Sequence, residues 1–411
     1  MPNDKQKKTS ARPQFLRGNM LVMIATSAIW QLAGNAAWPF FSLYVLALDG
    51  PREMIGIIAG IGTLSSVIPT ILGGYLADAY GRKRLTAIFS ILLGFTSLFM
   101  AMAADWRTLA IAVVIESLAA GFREPAMSAL IADSLSSEAR GIGFAAWAIV
   151  PALPGIVSPM IAGYLIDLQG AAFAIRWGYG LTGLTALVAG ICRHAFLRET
   201  VPVRRSEARS VSAMTKSIAA THKDLSRELW ILLAVESLVW LGVAASSPYF
   251  VLYGTTDAIG LTASDWGLVL LSSNLAKVLG FAFGSAADRY GRRNVTALTT
   301  LLVGISSFLF VHSRTLPQVA LIFTVNALST LVAQHISQAL RADACPRESR
   351  SRVYSFFIIC QYVTRTVGSV VGGFLYVSVA SAMPFYFFAV VSVVSAITLV
   401  LLAAENVRGR R

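Results

Sequence analysis

"GGYLADAYGRKRL" (Gly73–Leu85) lies between two long apolar runs. It sets an aspartate, three consecutive basic residues and turn-prone glycines into a chain otherwise short of charge. Read alone, Arg82-Lys83-Arg84 is a basic patch of the kind that attracts nucleic acid or acidic lipid, a common feature with little specificity. The rest of the chain gives it another meaning.

Of the 411 residues, 56% are hydrophobic and 13% charged, with a mean hydropathy of +0.66. A soluble chain carries about 25% charged residues. Apolar stretches of ~20 residues, enough to cross a hydrocarbon core of ~30 Å, recur along the whole length. They are continuous rather than alternating, which implies helices and not barrel strands. Turn signals and charges place twelve spans near 20–48, 53–76, 84–104, 108–132, 140–168, 174–197, 229–253, 264–287, 294–313, 316–340, 353–378 and 383–404. The fold class is therefore an all-α membrane protein. The one long polar stretch, Arg198 to Glu228, predicts an N-terminal tail (1–19), a six-helix bundle (20–197), a linker (198–228), a second six-helix bundle (229–404) and a C-terminal tail (405–411). The run after the polar N-terminus is too long for a signal-peptide core, so it reads as a retained first span.

Lys and Arg fix an orientation. The loops on one side hold 27 of the 34: five before Gly18, three at 82–84, Arg140, eight from Arg193 to Arg227, three at 289–293, four from Arg341 to Arg352 and three at the C-terminus. The other side holds four, Arg52, Arg107, Arg176 and Arg314. The positive-inside rule then predicts a multi-pass plasma-membrane protein with both termini cytoplasmic. The net charge of +13 is mostly this topology signal, and no nucleic-acid partner is needed to explain it. Cys192, Cys345 and Cys360 form no paired framework, the four histidines have no metal-ligand spacing, and no cofactor is implied.

The opening stretch has a second copy, "FGSAADRYGRRNV", from Phe283. A shift of 210 maps Gly74 to Gly284, Asp78 to Asp288, Gly81 to Gly291, Arg82 to Arg292 and Lys83 to Arg293. The same shift aligns "ALIADSLSSEAR" from Ala129 with "ALRADACPRESR" from Ala339, pairing Asp133 with Asp343 and Arg140 with Arg350. With a one-residue slip, "PFFSLY" from Pro39 matches "PYFVLY" from Pro248. A shared offset over separated regions is a tandem repeat. Six spans per copy keep both in one orientation, so the halves are expected to relate by an axis along the membrane normal.

With its doubled Gly-x-x-x-Asp-x-x-Gly-Arg-Lys/Arg loop, the sequence resembles the major facilitator superfamily along its full length. The resemblance implies a rocker-switch secondary transporter whose central cavity is lined mainly by spans 1, 4, 7 and 10. It also gives the repeated charges a mechanical reading. Arg82 and Arg292 are placed to pair with Asp133 and Asp343 at the ends of spans 4 and 10, facing the negative helix ends. Asp78 and Asp288 are placed to meet the N-terminal ends of spans 11 and 5, latching the cytoplasmic gate. Lys83, Arg140, Arg293 and Arg350 complete the set. The alternative is that these residues only anchor topology and order the loops.

A charge at mid-depth costs ~2.5–3.5 kcal/mol on the insertion scale, so each needs a reason. The candidates are Glu116, Arg123 and Glu124 in span 4, Glu236 in span 7, Lys277 in span 8 and Arg365 in span 11. None has a charged counterpart in the other half, which argues against a purely architectural role. Glu116 and Arg123 share a helical face. Glu236 lies one turn from Trp240, and Glu236 with Arg365 is the expected proton-coupling pair. A static, charge-neutral network is the alternative. Gln31, Asn35 and Trp38 form a polar and aromatic stripe on span 1 suited to a binding wall, or to interhelical hydrogen bonding. His335 is either a protonation switch or a packing histidine.

Two features depart from the pattern of proton-coupled drug exporters. The position of their span 4 arginine falls on Val113, and the Gly-Pro pair of span 5 reads Ser158-Pro159. "GYGLTG" (Gly178–Gly183) satisfies a dinucleotide-binding spacing but lies within a span, and no P-loop appears. No nucleophile–base pair suggests an enzyme. The reading is a monomeric secondary transporter of a small organic solute in the lipid bilayer, coupled to protons and directed outward. The alternatives are a uniporter or importer of a metabolite, and a transporter-like sensor without net flux.

Overall fold

In the computed structural model, the described residues are 17–136, 140–200, 221–223, 225–280, 291–345 and 350–408. Gly284 and Asp288 fall outside them, and Arg140 and Arg350 are described only as helical backbone.

The protein is an all-helical membrane protein, and a helical segment stands at each predicted span. Spans 1 to 3 are Gly18–Ala47, Arg52–Tyr80 and Arg82–Ala101. Span 4 is Trp106–Asp133, span 5 runs from Arg140–Ile149 to Ser158–Gln169, and span 6 is Ala171–Phe196. Span 7 is Arg227–Asp257, span 8 Ala263–Gly280, span 9 Arg292–Val311 and span 10 Leu316–Ala344. Spans 11 and 12 begin with Arg350–Phe374 and Met383–Arg408. Among the described residues, eight helices can cross a membrane by length and composition, or nine if the two pieces of span 5, bent by 43°, count as one. Span 4 fails that test because Arg107, Glu116, Arg123 and Glu124 interrupt it.

Proline removes a backbone donor and crowds the preceding turn. The repeated "PFFSLY" and "PYFVLY" accordingly sit at matching 3-10 breaks, Trp38–Phe40 in span 1 and Ser247–Tyr249 in span 7. Pro151 and Pro154 break span 5 in the same way. At the repeated charged loops, Gly81 and Gly291 adopt φ of 96° and 88°, a region that a side chain disfavours.

Helix pairing repeats as well. In the first half, span 3 packs on spans 4 and 6, span 1 on spans 5 and 6, and span 2 on span 4. In the second, span 9 packs on spans 10 and 12, span 7 on spans 11 and 12, and span 8 on span 10. Across the halves, span 5 meets span 8 and span 2 meets span 11. Adding six to each span number carries one set onto the other. Large apolar side chains such as Ile68, Leu184, Leu321 and Ile397 are exposed on the outside, where lipid tails replace water.

Candidate functional site

The face bearing most of the basic loops is called the basic face. The hydrogen bonds and ion pairs that join the halves cluster near the opposite face. Arg52 pairs with Asp257 at 2.8 Å, and the Tyr376 hydroxyl donates to the same carboxylate at 2.7 Å. Tyr249 accepts from the Gly56 N–H at 3.0 Å and donates to the Arg52 carbonyl. Ser42 donates to the Pro248 carbonyl, and Thr366 to that of Gly60. Asp167 accepts from the Ala263 and Ser264 N–H groups at the positive start of span 8, at 2.9 and 2.8 Å. Glycines allow this approach: a Cβ on Gly56 or Gly163 would run into the Ser369 or Ala263 carbonyl.

On the basic side of this seal lies a cavity of about 880 Å³ between the halves. It is lined from spans 1, 4, 7 and 10, from spans 2, 8 and 11, and by Phe388 of span 12. The seal also draws on spans 1, 2, 7, 8 and 11, so these helices serve both as seal and as wall. Of the sequence-predicted residues, Trp38, Glu124, Lys277 and Arg365 reach it. Asn274, Asn326 and Gln334 also line it and carried no signal in the sequence beyond being polar within a span.

A second cavity of about 130 Å³, within the second half, shares Val243, Thr330 and Gln334 with the first. Glu236, Trp240, Arg341 and Gln361 line it. Here the expected pairing is corrected. Glu236 faces Arg341 of span 10 at 3.1 Å, not Arg365, and its other oxygen accepts from Gln361 Nε2 at 2.7 Å. Glu236 Oε1 and Arg341 Nε are off the line of a good hydrogen bond, so the contact is chiefly ionic. Rings of Tyr354 and Phe357 flank the Arg341 guanidinium at 5.3 Å. Arg365 instead lies over Trp240, 4.8 Å from the ring centre.

Arg341 and Arg193 also correct the count of loop charges, since both are buried. Each sits in the last turn of its span, where Cα–Cβ vectors tilt back toward the helix N-terminus and so into the bundle. Arg193 donates to three hydroxyls, those of Thr26, Ser27 and Ser90, at 2.7 to 3.0 Å.

The remaining predicted residues separate. Arg123 is buried, pairs with Glu124 and lies 5.1 Å from the Trp30 ring centre. Asn35 donates to the Gly155 carbonyl, so this part of the span 1 stripe holds span 5. Gln31, Glu116 and His335 line neither cavity. At the basic face, Arg82 bridges Asp78, at 3.0 Å, and Asp133, and Arg292 meets Asp343 at 2.6 Å. Arg293 pairs with Glu228. The N–H groups of Arg82 and Lys83 donate to Glu199, which anchors the linker to the start of span 3. Asp78 is largely exposed and, among the described residues, makes no hydrogen bond or ion pair to span 11.

A family model described as Major Facilitator Superfamily matches residues 20–281 and 232–411. An uncharacterized MFS-type transporter of Methanocaldococcus jannaschii is 18% identical over 404 residues, covering 96% of this chain and 98% of the relative. Multi-drug resistance efflux pump PmrA of Streptococcus pneumoniae is 22% identical over 344 residues, covering 81% and 83%. Among solved structures, a POT family transporter in complex with 5-aminolevulinic acid superposes with a TM-score of 0.75 at 13% identity, covering 96% of this chain and 98% of that one. Nucleoside transporter NupG gives 0.71 at 14%, covering 93% and 98%. These structural likenesses establish the fold.

Proposed function

The chain belongs to the Major Facilitator Superfamily and is a secondary transporter of a small-molecule substrate, and on that premise we propose that it exports an organic solute against an inward flow of protons. Both termini and the basic face lie in the cytoplasm, which the loop charges support. The conformation described is then sealed outside and faces inward. The distant efflux-pump relative supports the outward direction, while Val113 and Ser158 stand against it and favour a uniporter or importer as the second reading.

The observation that carries proton coupling is the buried Glu236–Arg341 pair in a pocket adjoining the central cavity. Charged, Glu236 holds spans 7, 10 and 11 together through Arg341 and Gln361. Protonated, it no longer compensates Arg341, and the three helices are free to shift. A group whose protonation changes the contacts of one state biases the equilibrium between states.

Reconstitution in liposomes with an imposed pH gradient and a solute panel tests this. The Glu236→Gln variant is expected to retain solute exchange and to lose gradient-driven accumulation. Unchanged accumulation would remove Glu236 from the coupling step, and the sign of the gradient that drives uptake decides between export and import.

A further inference from the structure

We infer that the central cavity takes an organic anion with an aromatic or otherwise apolar body. This rests on the transport reading and names the charge of its solute. Among the described residues, three charged side chains line the cavity: Glu124, Lys277 and Arg365. Glu124 is neutralised by Arg123. Among the described residues, Lys277 has Asn274 Oδ1 near its ammonium, at 3.5 Å, and no carboxylate. Arg365 rests on the Trp240 ring, again with no carboxylate opposite it among the described residues. The cavity therefore carries two uncompensated cations.

They stand at one level. Lys277 is fourteen residues along from Ala263, and Arg365 fourteen before Val379, which puts each ~21 Å from the opposite-face end of its span. Water hydrates both while the cavity is open. Closure of the halves strips that water, and two like charges then face one low-dielectric space. An anion between them relieves the repulsion, whereas a cationic solute adds a third positive charge. Lying over an indole, 4.8 Å from its ring centre, the Arg365 guanidinium brings a fork of N–H donors that suits the paired oxygens of a carboxylate, sulfonate or phosphate. Around this charge the walls are aromatic: Trp38, Phe250, Trp266, Phe323, Tyr362 and Phe388.

The test uses three probes that share one ring and differ in charge: naphthoate, naphthamide and naphthylmethylammonium. Their binding to the purified full chain is measured by calorimetry. Naphthoate is expected to bind at least about tenfold tighter than the other two, and Lys277→Gln or Arg365→Gln to weaken it roughly tenfold while leaving naphthamide unchanged. Lys277→Arg keeps the charge and should retain naphthoate binding, which separates lost charge from lost folding. Equal affinities, preference for the ammonium, binding of none, or an unaltered naphthoate affinity in the Gln variants would each overturn the assignment. Loss of flux with charge discrimination intact would remove the transport reading alone. Flux without discrimination would remove this one.

Discussion

Glu236 and Arg341 face each other at 3.1 Å, both buried within the second half. Removing one member of such a pair strands the other in a medium that solvates it poorly. Arg341→Ala is expected to destabilise the protein by ~3–5 kcal/mol. The double variant Glu236→Gln with Arg341→Ala should lose less than the two single variants summed. Thermal unfolding in detergent checks both, and additive losses would mean that the two side chains do not interact.

In the Arg52–Asp257–Tyr376 cluster the Arg52 side chain is nearly half exposed, so solvent screens the ion pair and its ionic part contributes roughly 0.2–1 kcal/mol. Asp257→Asn should therefore shift the balance between sealed and unsealed states by no more than a few-fold. A cysteine placed at Ser247, on the cavity wall, should react faster with an impermeant thiol reagent added from the opposite face. No change in rate would mean that the cluster does not hold the seal.

Gly163→Val tests the seam at span 8, where a side chain meets the Ala263 carbonyl. Overpacking of ~1–3 kcal/mol falls on the sealed state alone. Transport is expected to drop about tenfold or more, with opposite-face labelling increased. Wild-type flux would show that the helices part without cost.

Gly81→Ala and Gly291→Ala should each cost roughly 1–2 kcal/mol, because both positions hold a left-handed backbone. Matching losses in melting temperature are expected from the two halves. A loss from only one would show that the loops differ in how firmly they are held.

Asp105 caps span 4 by accepting from the Thr108 N–H and hydroxyl, and these bonds hold its carboxyl below the usual range. A depressed folded-state value gives stability that is present above the unfolded value and lost as pH falls through the folded one. Asp105→Ala should lower the melting temperature at neutral pH, and the gap to wild type should close below the carboxylate range. A gap that persists in acid would rule out the charged cap.

The spans and the pseudo-symmetry were legible because both rest on patterns within single segments: apolar length, proline breaks and a repeat at one offset. The Arg82–Asp133 and Arg292–Asp343 pairs followed from the resemblance and the repeat. The partner of Glu236 did not, since rotation of spans 7, 10 and 11 decides which cation faces it, and no spacing within one helix encodes that. Arg193 and Arg341 were misassigned to loops because sequence position marks where a Cα lies, while a last-turn side chain reaches back several ångströms. Asn274, Asn326 and Gln334 became cavity lining only once the halves were docked.

Several of the contacts that join the halves end on main-chain atoms: the carbonyls of Pro248, Arg52 and Gly60, and the amides of Gly56, Ala263 and Ser264. Such acceptors and donors survive replacement of the side chain they belong to. One partner of each of these docking bonds is thus written in the path of the chain, the other in Ser42, Tyr249, Asp167 or Thr366, while cargo recognition lies in interchangeable side chains a few turns away. A laboratory lineage selected for a new cargo can rewrite that recognition without erasing the docking.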